Sequence, residues 1–197
     1  MDCKLSILIC TIPERKELFN ELVLFLSGQV QGDKLNWPIE ILTADQPRGT
    51  ISIGAKRQSL LNSANGKYVV FVDDDDLPYE NYIQSILTAI ETGPDCVGFK
   101  IRMTTNGQNP ETCIHSLQNK KWEKRNGVYL RSVTHFNPVK RELALQVGFK
   151  DMHFGEDHDY SNRLTPLCKT EVFIDEFLFD YRYSNKEKHN EKYGIKK

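Results

Sequence analysis

Tyr68-Val69-Val70-Phe71-Val72-Asp73-Asp74-Asp75-Asp76 is the stretch that decides the fold of this 197-residue chain. Tyr68 to Val72 is short, β-branched and aromatic, the composition of a buried strand rather than of a helix. The four aspartates therefore ride on the C-terminal end of a core strand, where open α/β sheets bind their ligands. Carboxylates crowded this closely repel one another, so the cluster is costly unless a cation offsets it. Hard oxygen donors of this kind suit Mg²⁺ or Mn²⁺ and, through the metal, a diphosphate. The plain alternative is a solvated acidic turn, since Asp is common after strands. Four in a row directly behind an apolar run favour the metal.

Outward from this strand, the first hundred residues alternate strand and helix. Leu5–Cys10 reads as a strand. A helix follows over Glu14–Leu26, with Leu18, Leu22, Phe25 and Leu26 on one face. Ile39–Thr43 is a second strand, ending near Asp45. Ser52 is placed to N-cap a helix that buries Ile53, Leu60, Leu61 and Ala64 and stops at Asn65-Gly66. After the central strand come a helix over Tyr79–Glu91, a Gly93-Pro94 stop and a strand over Cys96–Ile101. Strands spaced by helices imply parallel βαβ units and the α/β class.

Beyond residue 102 the rhythm changes. Thr104–Asn109 and Lys124–Gly127 are turn-rich, and Val128–Val133 is strand-like. Glu156–Leu164 reads as a short helix halted at Thr165-Pro166. Glu171–Ile174 and Phe177–Tyr183 are strand-like, and residues 184–197 form a polar, basic tail that reads as a flap or a frayed end. With no linker or repeat, the expectation is one domain over residues 1–197.

The net charge of −1 conceals an asymmetry: residues 1–99 carry 8 Lys and Arg against 14 Asp and Glu, and residues 100–197 carry 18 against 13. An acidic first half suits a metal and a basic second half something anionic. The five cysteines show neither a CxxC pair nor zinc-ligand spacing, which points to a reducing, cytoplasmic setting. No apolar stretch approaches the ~18 residues of a membrane span. The expectation is a soluble protein with at most peripheral membrane association. Nothing in the pattern fixes an oligomeric state.

Several segments, taken in order, resemble the GT-A fold of glycosyltransferase family 2. Ser6-Ile7-Leu8-Ile9-Cys10-Thr11-Ile12-Pro13-Glu14-Arg15 is similar to the family's opening strand and its Thr/Pro/Arg turn. Asp45 falls where the family has an acid facing the base or ribose. Gly54-Ala55-Lys56-Arg57-Gln58 and Ala64-Asn65-Gly66-Lys67-Tyr68 resemble the family's G-x-x-R-N and A-x-G-x-Y stretches, with Gln58 in place of the usual Asn. Phe71 to Asp76 resembles its DXD motif. Phe154-Gly155-Glu156-Asp157, with Arg163-Leu164, resembles its acceptor-side G-E-D and R-L pair. The fold implied is a Rossmann-like, mostly parallel sheet flanked by helices, with a smaller mixed acceptor-side region. On that pattern residues 1–101 bind the nucleotide-sugar and residues 102–197 the acceptor.

The resemblance implies a metal-dependent, inverting glycosyltransferase that moves one sugar from a UDP-linked donor to a hydroxyl of a glycan, lipid-linked or modified-DNA acceptor. Thr11, Pro13, Arg15, Asp45, Lys56, Arg57, Asp73 and Asp74 would meet the donor nucleotide. Asp75 and Asp73, with His189 from the tail, would hold Mn²⁺ or Mg²⁺, and Asp74 or Asp76 would assist. Asp157 would be the general base, with Glu156 steering the acceptor or supporting the loop, and Asp159 is a rival base. The same acids at the start of a helix would also complement its dipole without any catalytic role. His135 lies beside the expected acceptor pocket, and Trp122 is either a packing residue or a stacking platform. The absence of a QxxRW-type signature argues for single transfers rather than polymerisation. Two further readings stand beside this one. A nucleotidyltransferase would need a glycine-rich phosphate loop, which Thr11–Arg15 lacks. A non-catalytic nucleotide- or metal-binding module would have no use for Asp157.

Overall fold

The computed structural model describes residues 2–32 and 37–183. The tail, with the candidate ligand His189, lies outside the described residues. Among the described residues, ten strands form one mixed sheet. Its N-terminal part is parallel: β1 (Leu5–Cys10) lies between β2 (Ile39–Ala44) and β3 (Tyr68–Phe71). A two-residue strand β9 (Val139–Lys140) runs antiparallel between β3 and β5 (Cys96–Thr105). On the far side β5 pairs with β6 (Gln108–His115), which is followed by β8 (Val128–Arg131) and β7 (Glu123–Arg125). The last strand, β10 (Glu171–Tyr183), lies parallel to β5 and also pairs with the short β4 (Leu77–Pro78).

The central strands are buried on both faces, which is why they read as unbroken apolar runs. In β1, Leu5, Ile7 and Ile9 join a cluster with Leu22 and Leu26 of α1 (Lys16–Gln31) and Ile83, Ile86 and Leu87 of α3 (Tyr82–Ile90). Leu8 and Cys10 turn the other way, towards Leu60 and Leu61 of α2 (Ile53–Ser63), Ala144 of α4 (Arg141–Val147), and Tyr160 and Leu164 of α5 (Glu156–Leu164). The result is a sheet covered by helices on both faces.

Ser52 caps α2 as its sequence position implies, accepting the Ala55 amide at 3.0 Å. Elsewhere the structure departs from expectation in length. The first helix begins as a 3₁₀ turn over Pro13–Arg15 and then continues to Gln31. The strand expected to end at Ile101 runs on to Thr105, because Asn106 and Gly107, at φ 52° and 75°, make a tight turn into β6. Both central residues of such a turn need positive φ, which Asn-Gly supplies. The two strand-like segments at residues 171–183 are one strand with register shifts between Ile174 and Phe177 and between Phe177 and Phe179. β9 and α4 carry too few residues to show a period and were not expected.

Candidate active site

Parallel pairing sets the ends of β1 and β3 side by side, so Thr11 and the aspartates share one edge of the sheet. Thr11 Oγ1 donates to Asp74 Oδ2 at 2.7 Å. The 3₁₀ turn brings Arg15 over the cluster, with NH1 at 2.6 Å from Asp74 Oδ1 and NH2 at 3.2 Å from Asp75 Oδ2. Pro13 opens that turn on the surface, and Asp45 is exposed beyond the end of β2. Asp76 is buried and takes the Arg182 backbone amide at 2.9 Å, while its Oδ2 has no partner among the described residues. Burial, then the charges of Asp75 and Asp73, push the Asp76 carboxyl well above the usual carboxylate range. Burial likewise raises Asp74, against the pull of Arg15 and Thr11.

Helix α2 supplies two buried cations. Lys56 Nζ donates to the carbonyls of Thr11 at 2.7 Å and Gln46 at 2.8 Å, so it fastens the loops after β1 and β2 from within. Burial lowers its pKa below the ordinary lysine value. Arg57 is 4% exposed and bridges the two motifs, its NH2 meeting Asp73 Oδ1 at 3.0 Å and its Nε meeting Glu156 Oε1 at 3.3 Å. Burial opposes the charge on Asp73, but Arg57 and then His135 outweigh it and hold that carboxyl well below the usual range.

The bridge depends on a close backbone approach. Gly54, in the first turn of α2, donates its amide to the Met152 carbonyl at 3.1 Å. A Cβ at this position would stand 1.9 Å from the Lys150 carbonyl oxygen. Ser52 Oγ also reaches Asp151 at 2.5 Å, and Gln58 Oε1 takes the Phe149 amide at 2.6 Å. These contacts dock the loop before α5 onto α2 and bring Glu156 to Arg57. Gln58, the departure from the resembled pattern, is therefore part of the seam.

At the start of α5 the three acids diverge. Glu156 is buried on Arg57. Asp159 is tied to Lys150 at 2.6 Å and to Arg163 Nε at 2.8 Å. Asp157 is half-exposed and lines a pocket of about 130 Å³. That pocket is walled by Trp122, Arg131, His135, Phe136 and Tyr181. His135 Nε2 lies 3.7 Å from Asp73 Oδ2, so the pocket abuts the acid cluster. The sequence reading did not single out Arg131 or Tyr181. Both lie on segments that read as strands, and no motif marks either residue.

The family model described as glycosyl transferase family 2 matches residues 30–151, more than half of the chain. The chain belongs to glycosyl transferase family 2. Among solved structures, residues 1–349 of S. aureus TarS in complex with UDP-GlcNAc superpose with a TM-score of 0.63 at 15% identity, over 92% of this chain and 59% of that one. The same TarS segment in complex with UDP gives a TM-score of 0.62 at 16% identity, over 92% of this chain and 61% of that one. The chain thus spans about three fifths of those TarS structures. No curated protein sequence matches it. At these identities the likeness carries the fold, and it bears out the GT-A architecture; the family match is what makes this a family 2 glycosyltransferase domain.

The family's usual divalent cation can be tested against the side chains present. Among the described residues no group of three or more His, Cys, Asp or Glu is placed to hold a metal. Asp73 and Asp75 do present hard oxygens, their side chains 26% and 22% exposed. Mg²⁺ at nucleotide sites is commonly held by one or two carboxylates, with phosphate and water completing its shell. The donor set fits that mode of binding. No described helix is long and apolar enough to cross a membrane.

Proposed function

We propose that this domain transfers a single sugar, with inversion, from a UDP-linked donor to a hydroxyl acceptor. Residues 1–101 serve the donor and residues 102–197 the acceptor within one domain. The observation that carries this reading is the Asp73–Arg57–Glu156 bridge, which ties the acid cluster to the helix bearing Asp157. A non-catalytic binding module has no need of such a tie.

In this reading Asp157 accepts the proton of the acceptor hydroxyl as its oxygen bonds to the anomeric carbon. The bond from that carbon to the diphosphate breaks in the same displacement, and the electron pair leaves on the phosphate. A single displacement by the acceptor oxygen inverts the anomeric centre. Asp73 and Asp75 would hold Mn²⁺ or Mg²⁺, which neutralises the charge developing on the leaving diphosphate. Thr11, Pro13, Arg15 and Asp45 line the sheet edge where the nucleotide lies. Lys56 and Arg57 act from beneath, holding loop carbonyls and carboxylates in place. Glu156 positions the start of α5 rather than touching substrate.

The test is a thermal-shift titration of UDP and UDP-GlcNAc with and without Mn²⁺, alongside donor turnover. Metal-dependent stabilisation that survives Asp157→Asn, together with turnover reduced about 10²–10⁴-fold, supports the reading. Unchanged turnover in Asp157→Asn overturns the base, and no stabilisation by any UDP species at millimolar concentration overturns the donor.

A further inference from the structure

The pocket beside Asp157 has a chemistry of its own. Its walls come from β5, β6, β8, β10, α5 and the loops before β7 and β9, and it meets the acid cluster at His135. Its volume of about 130 Å³ is well below the roughly 300–1,000 Å³ of pockets that enclose a whole drug-sized ligand. It fits one ring rather than a complete nucleotide-sugar.

One buried side chain in it lacks the hydrogen-bond partners that buried polar groups normally have, and a half-buried cation lacks a counter-charge, among the described residues. His135 is 3% exposed, and among the described residues neither ring nitrogen makes a hydrogen bond, the nearest carboxylate oxygen being Asp73 Oδ2 at 3.7 Å from Nε2. Arg131 is half-buried, donates to the Leu130 carbonyl at 3.5 Å and forms no ion pair with any carboxylate among the described residues. Its guanidinium lies over the Trp122 ring at 4.8 Å and the Tyr129 ring at 5.2 Å. Trp122 is itself fixed, donating to Ser132 Oγ at 3.1 Å and meeting His158 edge-on at 4.9 Å. A rigid aromatic face, a held cation and an unsatisfied imidazole, all beside a half-exposed carboxylate, form a built site.

We propose that this pocket seats the acceptor and selects an anionic one, a sugar-like ring bearing a carboxylate or a phosphate. The anion pairs with Arg131, a ring face stacks on Trp122, and the attacking hydroxyl lies between Asp157 and His135. An aromatic-stacked guanidinium without a carboxylate partner is well suited to planar or tetrahedral oxyanions. The transfer step is the one given above, and the inference rests on that reading.

The chain has two tryptophans, Trp37 and Trp122. Trp37 packs under Lys4 and does not line the pocket, so Trp37→Phe leaves Trp122 as the sole reporter. Fluorescence of that protein, with UDP and Mn²⁺ present, is titrated with glucuronate, glucose 6-phosphate and glucose. Saturable quenching by an anionic ring is expected, at least about tenfold tighter than by glucose, with the preference lost in Arg131→Met. Glucuronate against glucose 6-phosphate tells a carboxylate from a phosphate. Equal response to glucose and the anionic rings, no quenching by any of the three, or an anionic preference that survives Arg131→Met overturns the proposal. Stabilisation by UDP with Mn²⁺, measured on the same protein, keeps that failure apart from a failure of the donor reading.

Discussion

Replacing Arg57 by Met tests the bridge on which the site depends. Methionine retains an unbranched apolar stem against Phe71, whose ring lies 5.3 Å from the guanidinium carbon. It removes the cation shared by Asp73 and Glu156. Removing one partner of a buried ion pair costs about 3–5 kcal/mol, because a charge is left uncompensated. For a domain of this size each kcal/mol lowers Tm by about 2–4 °C, so a fall of about 6–20 °C is expected at pH 7 in metal-free buffer. The pH dependence has a definite sign. Asp73 titrates below its unfolded value in the native protein, so it stabilises the fold above about pH 4 and loses that contribution as the pH falls through its folded value. In Arg57→Met, burial acts on Asp73 without its main counter-charge and raises its pKa, so the destabilisation grows with pH. The gap between the two proteins is therefore widest at pH 7 and narrows towards pH 4. Arg57→Met/Glu156→Gln removes one of the orphaned charges and is expected to recover at least about 1 kcal/mol relative to the single variant. Urea denaturation monitored by circular dichroism measures both quantities. A loss below about 1 kcal/mol in Arg57→Met, or a double variant less stable than the single, would refute the bridge as the tie between the two motifs.

Other expectations follow from separate contacts. Gly54→Ala places a methyl against the Lys150 carbonyl and should cost about 1–3 kcal/mol, with turnover falling more than donor affinity; a stable, fully active variant would show that the seam is not needed. Asp95 is held at a pKa of about 2, where burial is outweighed by bonds from Lys140 and from the Lys169 and Thr170 amides. Its pKa is depressed, so its contribution of about 1 kcal/mol after solvent screening is present above pH 4 and disappears towards pH 2. Denaturation midpoints of Asp95→Asn and the native protein should converge over that interval, and parallel curves would count against it. Calorimetry of UDP binding should show Asp75→Ala in Mn²⁺ resembling the native protein in EDTA; full metal-dependent affinity in the variant would remove Asp75 from the ligand set.

The parallel half was legible because its central strands β1 and β3 are buried on both faces and its helices carry a cap and stops, as at Ser52 and Asn65-Gly66. Local chemistry suffices there, and the family fingerprint lies in the same segments. The site was legible as a list of acids but not as a division of labour. Glu156, Asp157 and Asp159 are near-equivalent in sequence, and only packing shows that Arg57 takes the first, Lys150 and Arg163 the third, and the pocket the second. Lys56 read as a cation for the donor, yet its ammonium faces two loop carbonyls. Arg131 and Tyr181 escaped notice because the β8 and β10 segments have no motif around them. Their meeting is a product of sheet order, β10 beside β5 and β8 beside β6, which no local period encodes.

The parallel pairing of β5 with β10 also bears on when the site comes into being. Cys96 pairs with Glu171 and Thr105 with Tyr183, so about 75 residues separate the partners. Asp76 takes its backbone hydrogen bond from Arg182, 106 residues later. Contacts this distant along the chain form late and slow folding. A nascent chain leaving the ribosome can close β1, β2 and β3 with their helices while Asp76 still awaits its partner. The carboxylate cluster thus lacks the backbone hydrogen bond on Asp76 until synthesis has passed Arg182.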